Sequence, residues 1–294
     1  MSSDLLAVDG LRVRYAGSDR DSVSDVSFSL GASEVVGVVG ESGSGKTTVG
    51  LATLGLLPAG ATAAGSIRFD GTEVVGAKES VLRPLRGRSL STIVQNPATA
   101  LNPAFSVGSQ LTALLRRHGT RGKAEAHASA VQWLEKVGFT DPERSLRAYP
   151  HQLSGGMNQR VVIAMALALS PRLVIADEPT SALDVTVQAA VLTLLRRLIS
   201  GSGSSMVLIT HDLGVVAQMC SRVIVMNGGR IVEAGAVGEI FAAPRDPYTR
   251  HLLDSLPERR PASAGRGARP GPRGRETQNP RGYGGRPPGN EVTA

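Results

Sequence analysis

Residues 40–47 read G-E-S-G-S-G-K-T, directly after an apolar, β-branched run from Glu34 to Val39 and ahead of a helical pattern from Thr47 to Leu57. A strand that must turn into a helix through three glycines commits the chain to an α/β arrangement. Gly40, Gly43 and Gly45 free the backbone so that successive N–H groups converge at a helix N-terminus, where the dipole favours an anion. Lys46 adds a point charge for β- and γ-phosphates, Thr47 a hydroxyl for Mg²⁺, and Thr48 a bond toward the α-phosphate. Glycine-rich turns are common in a chain with 35 glycines, so the weight of the reading lies in the flanking strand and helix.

With 294 residues, the chain has room for one large α/β domain or two smaller ones. Met1 to Gly10 carries two aspartates and no basic cluster, so no signal peptide is expected. The longest apolar stretch, Val161 to Leu169, is far below the roughly 20 residues of a membrane span, and a soluble chain is expected. Cys220 is the only cysteine, which excludes an internal disulfide and a Cys-rich metal site, fits a reducing compartment and reads as core filler. The net charge of +7 is concentrated at one end: Glu258 to Ala294 holds eight Arg against three Glu, leaving about +2 elsewhere. This Gly-, Pro- and Arg-rich stretch has too few large apolar residues to offset ordering entropy and reads as a disordered, solvated tail. Its Arg-Gly character leaves RNA or anionic lipid as other readings.

Leu5 to Tyr15 and Val23 to Leu30 alternate as strands of an N-terminal antiparallel layer. Ser66 to Asp70 and Leu90 to Val94 are further strands, and Pro97 and Pro103 make the region after Gln95 a loop. Ser106 to Phe139 is helical, with one stripe at Val107, Leu111, Leu114 and Leu115 and another at Ala124, Ala128, Val131, Leu134 and Val137. Trp133 reads as packing. Ser154 is placed as the N-cap of an apolar helix from Gly155 to Leu169. Arg172 to Ala176 is a buried strand that delivers Asp177 and Glu178 at its C-terminal end, where parallel sheets present ligands. Val185 to Ile199 is a helix, Met206 to Thr210 a strand, and Asn227-Gly228-Gly229 a hairpin turn. The alternation predicts a mostly parallel sheet covered on both faces.

Six strings occur in order: G-E-S-G-S-G-K-T-T at Gly40, Q-N-P at Gln95, L-S-G-G-M at Leu153, L-V-I-A-D-E at Leu173, S-A-L-D at Ser181 and T-H-D at Thr210. Together they resemble the nucleotide-binding subunit of an ATP-binding cassette (ABC) transporter, over roughly Leu5 to Leu256. The resemblance implies an α/β P-loop NTPase core with a mostly parallel sheet, an N-terminal antiparallel β layer and a helical subdomain inserted at about 97–160. The cassette spans 1–257 and the tail 258–294. It implies ATP and Mg²⁺ as ligands, with the cradle made by Gly40, Ser42, Gly43, Ser44, Gly45, Lys46, Thr47 and Thr48, and the metal held by Thr47, Gln95 and Asp177. Glu178 then polarises the attacking water, Gln95 touches metal and water, His211 bonds the γ-phosphate, and Tyr15 stacks on adenine. Ser154, Gly155, Gly156 and Asp184 serve the ATP site of a second cassette, so a dimer, identical or mixed, is expected.

Q-N-P-A-T-A-L-N-P at Gln95 and P-R-D-P-Y-T-R-H-L-L-D-S-L-P at Pro244 narrow the resemblance to the oligopeptide/dipeptide branch of importer ATPases, whose members also serve nickel and related solutes. Membership implies two permease subunits, with contact in a groove between the Gln95 loop and the helical insertion. It also implies an extracytoplasmic solute-binding protein and a peripheral place on the cytoplasmic face of a bacterial plasma (inner) membrane. No nucleic-acid partner is expected; a soluble ABC protein acting on RNA or ribosomes is the competing reading. Departures from the branch are Asp246 where His is usual, Ser33 where Gly is common, Asn158 where Arg often follows the signature, and no cysteine after Cys220 to hold a C-terminal cluster.

Overall fold

The computed structural model describes residues 4–119 and 122–255, so the tail expected over 258–294 lies outside the described residues. In chain order the first elements are β1 (Leu6–Arg14), β2 (Val23–Leu30), β3 (Val35–Val39), α1 (Lys46–Thr53), β4 (Thr62–Phe69), β5 (Thr72–Glu73), α2 (Glu79–Leu82) and β6 (Leu90–Ile93). A helical stretch follows: α3 (Pro97–Ala100), α4 (Val107–His118), α5 (Lys123–Lys136), α6 (Pro142–Arg147), a 3₁₀ turn (Pro150–Gln152) and α7 (Gly155–Leu167). The chain continues through β7 (Leu173–Asp177), α8 (Val185–Ser202), β8 (Ser205–Ile209), α9 (Leu213–Met219), β9 (Arg222–Asn227), β10 (Arg230–Ala236), α10 (Val237–Ala242) and α11 (Pro247–Asp254).

Two sheets result. One is antiparallel, in the order β2-β1-β4-β5; the other runs β10-β9-β3-β8-β7-β6, parallel except for β10 on β9. Alternation along the central strands divides the core. Leu173, Ile175, Val207 and Ile209 join the antiparallel sheet and α1 in one apolar cluster, while Val174, Ala176, Met206 and Leu208 join α4, α5, α7 and α8 in another. Successive strand residues face opposite ways, so a strand covered on both faces is a continuous apolar run. Burying each Leu, Ile or Val side chain contributes about 1.5–3 kcal/mol.

Local chemistry sets the element ends. Gly228 (φ +52°) and Gly229 (φ +80°) make the two-residue turn between β9 and β10, in which Arg230 pairs with Asn227. The helix expected over Thr47 to Leu57 stops at Thr53, because Gly55 turns left-handed (φ +61°) and Pro58 follows. The loop expected after Gln95 contains a single helical turn, α3: Pro97 fills its first position and the Asn96 side chain accepts the Ala98 N–H at 2.9 Å.

One stripe is corrected. On α5 the buried residues are Ala126, Ala130 and Leu134, whereas Ala124 and Ala128 are exposed and Val131 is half-buried. Alanine occurs on several faces of this helix and cannot mark the inner one; Leu134 sets it, and positions four and eight residues earlier follow. Trp133 is half-buried against the cluster, with the Lys136 ammonium 4.6 Å from its ring centre. Cys220 packs half-buried between clusters, and burial pushes its thiol up to about 12. Among the described residues no helix is long and apolar enough to cross a membrane.

Two departures from the branch pattern acquire reasons. Ser33 adopts φ +58°, the conformation that favours glycine there, and its hydroxyl bonds the Gly203 carbonyl at 3.0 Å. Asn158 donates to the Pro150 carbonyl at 2.9 Å, tying α7 to the 3₁₀ turn before it.

Candidate active site

The parallel strands β3, β7 and β8 are in register, with Val38 opposite Ile209 and Asp177 opposite the same residue. Their C-terminal ends therefore bring Gly40, Asp177, Glu178 and His211 to one edge, and β6 leads Gln95 there. An open cleft of about 520 Å³ at this edge is lined by Tyr15, Ser42, Gly43, Gly45, Lys46, Thr47, Thr48, Gln95, Asp177, Glu178 and His211. Gly40 and Ser44, expected in the same cradle, are not among its lining residues. Ser22 also lines the cleft and was not anticipated; no motif marks it, and its carbonyl is what closes on Gly45.

The loop is held by chain from the far end of the sequence. The Met226 carbonyl abuts Gly40, where an added Cβ would sit 2.1 Å from that oxygen, and Gly229 N–H bonds the Ser44 carbonyl at 3.2 Å. Gly40 also has φ +151°. Gly40→Ala is therefore expected to cost about 3 kcal/mol or more, since neither backbone segment can yield; a thermal melt within a degree or two of wild type would contradict it. Gly45 is the N-cap of α1 at φ +97°.

Lys46 is almost fully buried, and its ammonium donates to the carbonyls of Gly40 and Glu41, both at 2.8 Å. Burial lowers its pKa, while the carboxylates of Glu178, Asp177 and Glu41 act to raise it. Burial pushes the Asp177 carboxyl up; the Thr47 hydroxyl bond opposes this, the Glu178 charge adds to it, and Lys46 opposes it. The Asp177 Oδ1 atom is buried without a hydrogen-bond partner. An anionic oxygen left bare beside a threonine hydroxyl is a fit for a hydrated Mg²⁺ bound with phosphate. No group of three His, Cys, Asp or Glu side chains that could hold a metal alone occurs among the described residues.

Glu178 stands at φ +48°, a conformation non-glycine residues rarely adopt, and its N–H bonds the Ile209 carbonyl at 2.8 Å. Its Oε1 accepts the His211 N–H at 3.0 Å and lies 2.7 Å from His211 Nδ1. The two residues expected to act on water and on phosphate are thus joined to each other, a pairing no string reveals. His211 remains largely exposed. The Tyr15 hydroxyl lies 3.0 Å from Thr48 Oγ1, so its ring is anchored at the mouth of the cradle.

Ser154, Gly155, Gly156 and Asp184 do not line this cleft. Ser154 caps α7, accepting Met157 N–H at 3.3 Å, and Asp184 caps α8, accepting Val187 N–H at 3.0 Å. Gly156 lets α7 approach α8: a Cβ there would meet Val187 at 2.5 Å. Ser154 and Gly156 line a second cleft, of about 800 Å³, which lacks a phosphate loop and the Asp177–Glu178 pair. The residues expected to form the site therefore fall into two groups that line different clefts of one chain.

Residues 23–181 match the family described as ABC transporter, and residues 232–285 match the oligopeptide/dipeptide transporter C-terminal region. The chain belongs to the ABC transporter family. This cassette is 46% identical over 260 residues to a probable peptide ABC transporter ATP-binding protein of Sinorhizobium fredii, covering 87% of this chain and 78% of that one. It is 46% identical over 255 residues to the oligopeptide transport ATP-binding protein OppD of Salmonella typhimurium, covering 86% and 76% respectively. A dimer of the ATP-binding cassette MJ0796 in a post-hydrolysis state, bound to ADP and Pi, aligns with a TM-score of 0.70 at 26% identity, over 79% of this chain and 98% of that one. The ABC ATPase fold expected from the six strings is the fold observed.

Proposed function

We propose that this cassette hydrolyses ATP to drive a peptide importer. The observation that carries the ATPase reading is the convergence of Lys46, Asp177, Glu178 and His211 on one cleft at the ends of parallel strands. Lys46 neutralises β- and γ-phosphate charge, and the loop N–H groups at the start of α1 orient the chain of phosphates. Thr47, Asp177 and Gln95 would hold Mg²⁺, which would neutralise charge on the phosphates. Glu178 uses the carboxylate oxygen not taken by His211 to polarise water for in-line attack, releasing ADP and phosphate. His211, positioned through Nδ1, presents the rest of its ring to the γ-phosphate, and Tyr15 offers a face to adenine.

Ser154, Gly155, Gly156 and Asp184 supply the opposite wall of a partner cassette's site, with the N-terminal amides of α7 directed at its γ-phosphate. Their separation from Lys46 within one chain supports this reading. ATP then bridges two cassettes, and its hydrolysis removes the bridge. An apolar cleft of about 260 Å³, lined by Leu56, Val94, Leu101, Leu114 and Met165 among others, is the place for a permease segment. Val94 lines it while its neighbour Gln95 lines the nucleotide cleft, so the β6 end joins the two. The cassette would thus work as a peripheral subunit on the cytoplasmic face of the inner membrane, beside two permeases and an extracytoplasmic binding protein. The family's nickel branch is the other solute to exclude.

Purification of the complex with its permeases, followed by ATPase assays with receptor loaded with peptides, nickel chelates or sugars, tests this. Stimulation by peptide-loaded receptor is expected; stimulation by nickel chelates or sugars alone, or turnover that responds to RNA instead, would overturn it.

A further inference from the structure

The cradle has a support outside every string that identifies it. The phenol oxygen of Tyr248, on α11, accepts the N–H of Glu41 at 2.8 Å. That N–H belongs to the peptide group whose carbonyl, on Gly40, accepts the Lys46 ammonium at 2.8 Å. In a trans peptide the two groups point opposite ways, so Tyr248 on one edge sets the carbonyl on the other. Gly40, without a Cβ, imposes little restraint of its own on the orientation of this peptide.

Tyr248 is itself fixed. The Asp246 side chain caps α11, accepting the Tyr248 N–H at 2.8 Å, which gives the aspartate found in place of histidine a structural reason. Glu233 on β10 accepts the N–H groups of Arg245 and Asp246 at 2.8 and 3.1 Å. The ring packs against a cluster containing Val39, Val225 and Leu253, and Val39 is the residue that enters the cradle. Burial raises the phenol's pKa, keeping the hydroxyl neutral.

We infer that Tyr248 is a positioning residue for ATP binding, acting through the Gly40–Glu41 peptide on Lys46. It places the C-terminal transporter region in direct contact with the nucleotide loop. The inference rests on the reading that Lys46 grips ATP. It concerns binding alone, because the Glu178–His211 pair hangs from other strand ends.

The test compares wild type, Tyr248→Phe and Leu253→Ala in the assembled complex, by steady-state ATPase kinetics, fluorescent ATP-analogue titration and thermal melts. Tyr248→Phe removes only the hydroxyl. The expected result is a KM and analogue Kd raised by about three- to tenfold, the size of one lost hydrogen bond, with kcat within about twofold and Tm lowered by no more than about 2–4 °C. Leu253→Ala, which loosens the same cluster but keeps the phenol, should lower Tm more than Tyr248→Phe does and raise KM less. A wild-type KM in Tyr248→Phe, or an equal KM rise in Leu253→Ala, would overturn the inference. Wild type that neither binds the analogue nor hydrolyses ATP would instead refute the proposed function.

Discussion

Glu178→Gln is expected to lower ATP turnover by about 10²- to 10⁴-fold, the usual range for a general base, while nucleotide binding survives. Glutamine keeps the shape of the side chain and can still offer an oxygen to the His211 N–H, now held at 3.0 Å by Oε1. It cannot hold a negative charge toward water. The strained backbone at Glu178 (φ +48°) is unaltered by the change, so the loop remains where it is. With ATP bound and uncleaved, cassettes should accumulate as closed pairs. Light scattering with and without Mg·ATP measures this; near-normal turnover, or a variant that stays monomeric with ATP while wild type dimerises, would remove Glu178 from its role.

Lys46→Ala should abolish most ATP affinity. A unit charge about 4 Å from a phosphate, at an effective dielectric near 20, is worth about 4 kcal/mol, which converts to about 10³-fold in Kd. The substitution also leaves the carbonyls of Gly40 and Glu41 without their present donor. Against that cost stands relief from keeping an ammonium out of water, the largest influence on this lysine. The melting temperature should therefore move much less than the affinity. Analogue titration beside a thermal melt separates the two, and an intact Kd would contradict the phosphate-clamp assignment.

How much was legible from residues follows from which forces act locally. The glycine loop, the Ser154 cap and the two-glycine hairpin were readable because neighbouring residues alone determine them. The central strands were readable because burial on both faces leaves an uninterrupted apolar run such as Leu173 to Ala176. The inner face of α5 was not, because alanine carries too little hydrophobic contrast to reveal which side is covered. The single turn of α3 was missed because an Asn-Pro pair serves a loop and a helix start equally well. The pairing of Glu178 with His211 and the contact of Tyr248 with Glu41 join residues 33 and 207 positions apart. No local pattern encodes such distances; they emerge only once the strands are ordered.

The phosphate loop begins at Gly40, yet Met226, Gly229 and Tyr248 are among the residues that shape it. A ribosome making this chain at about 5–20 residues per second emits the loop many seconds before its last supports exist. Nucleotide capture is consequently a late event in biogenesis, and a nascent or prematurely terminated chain lacking the final helices carries the recognisable glycine motif without its finished shape.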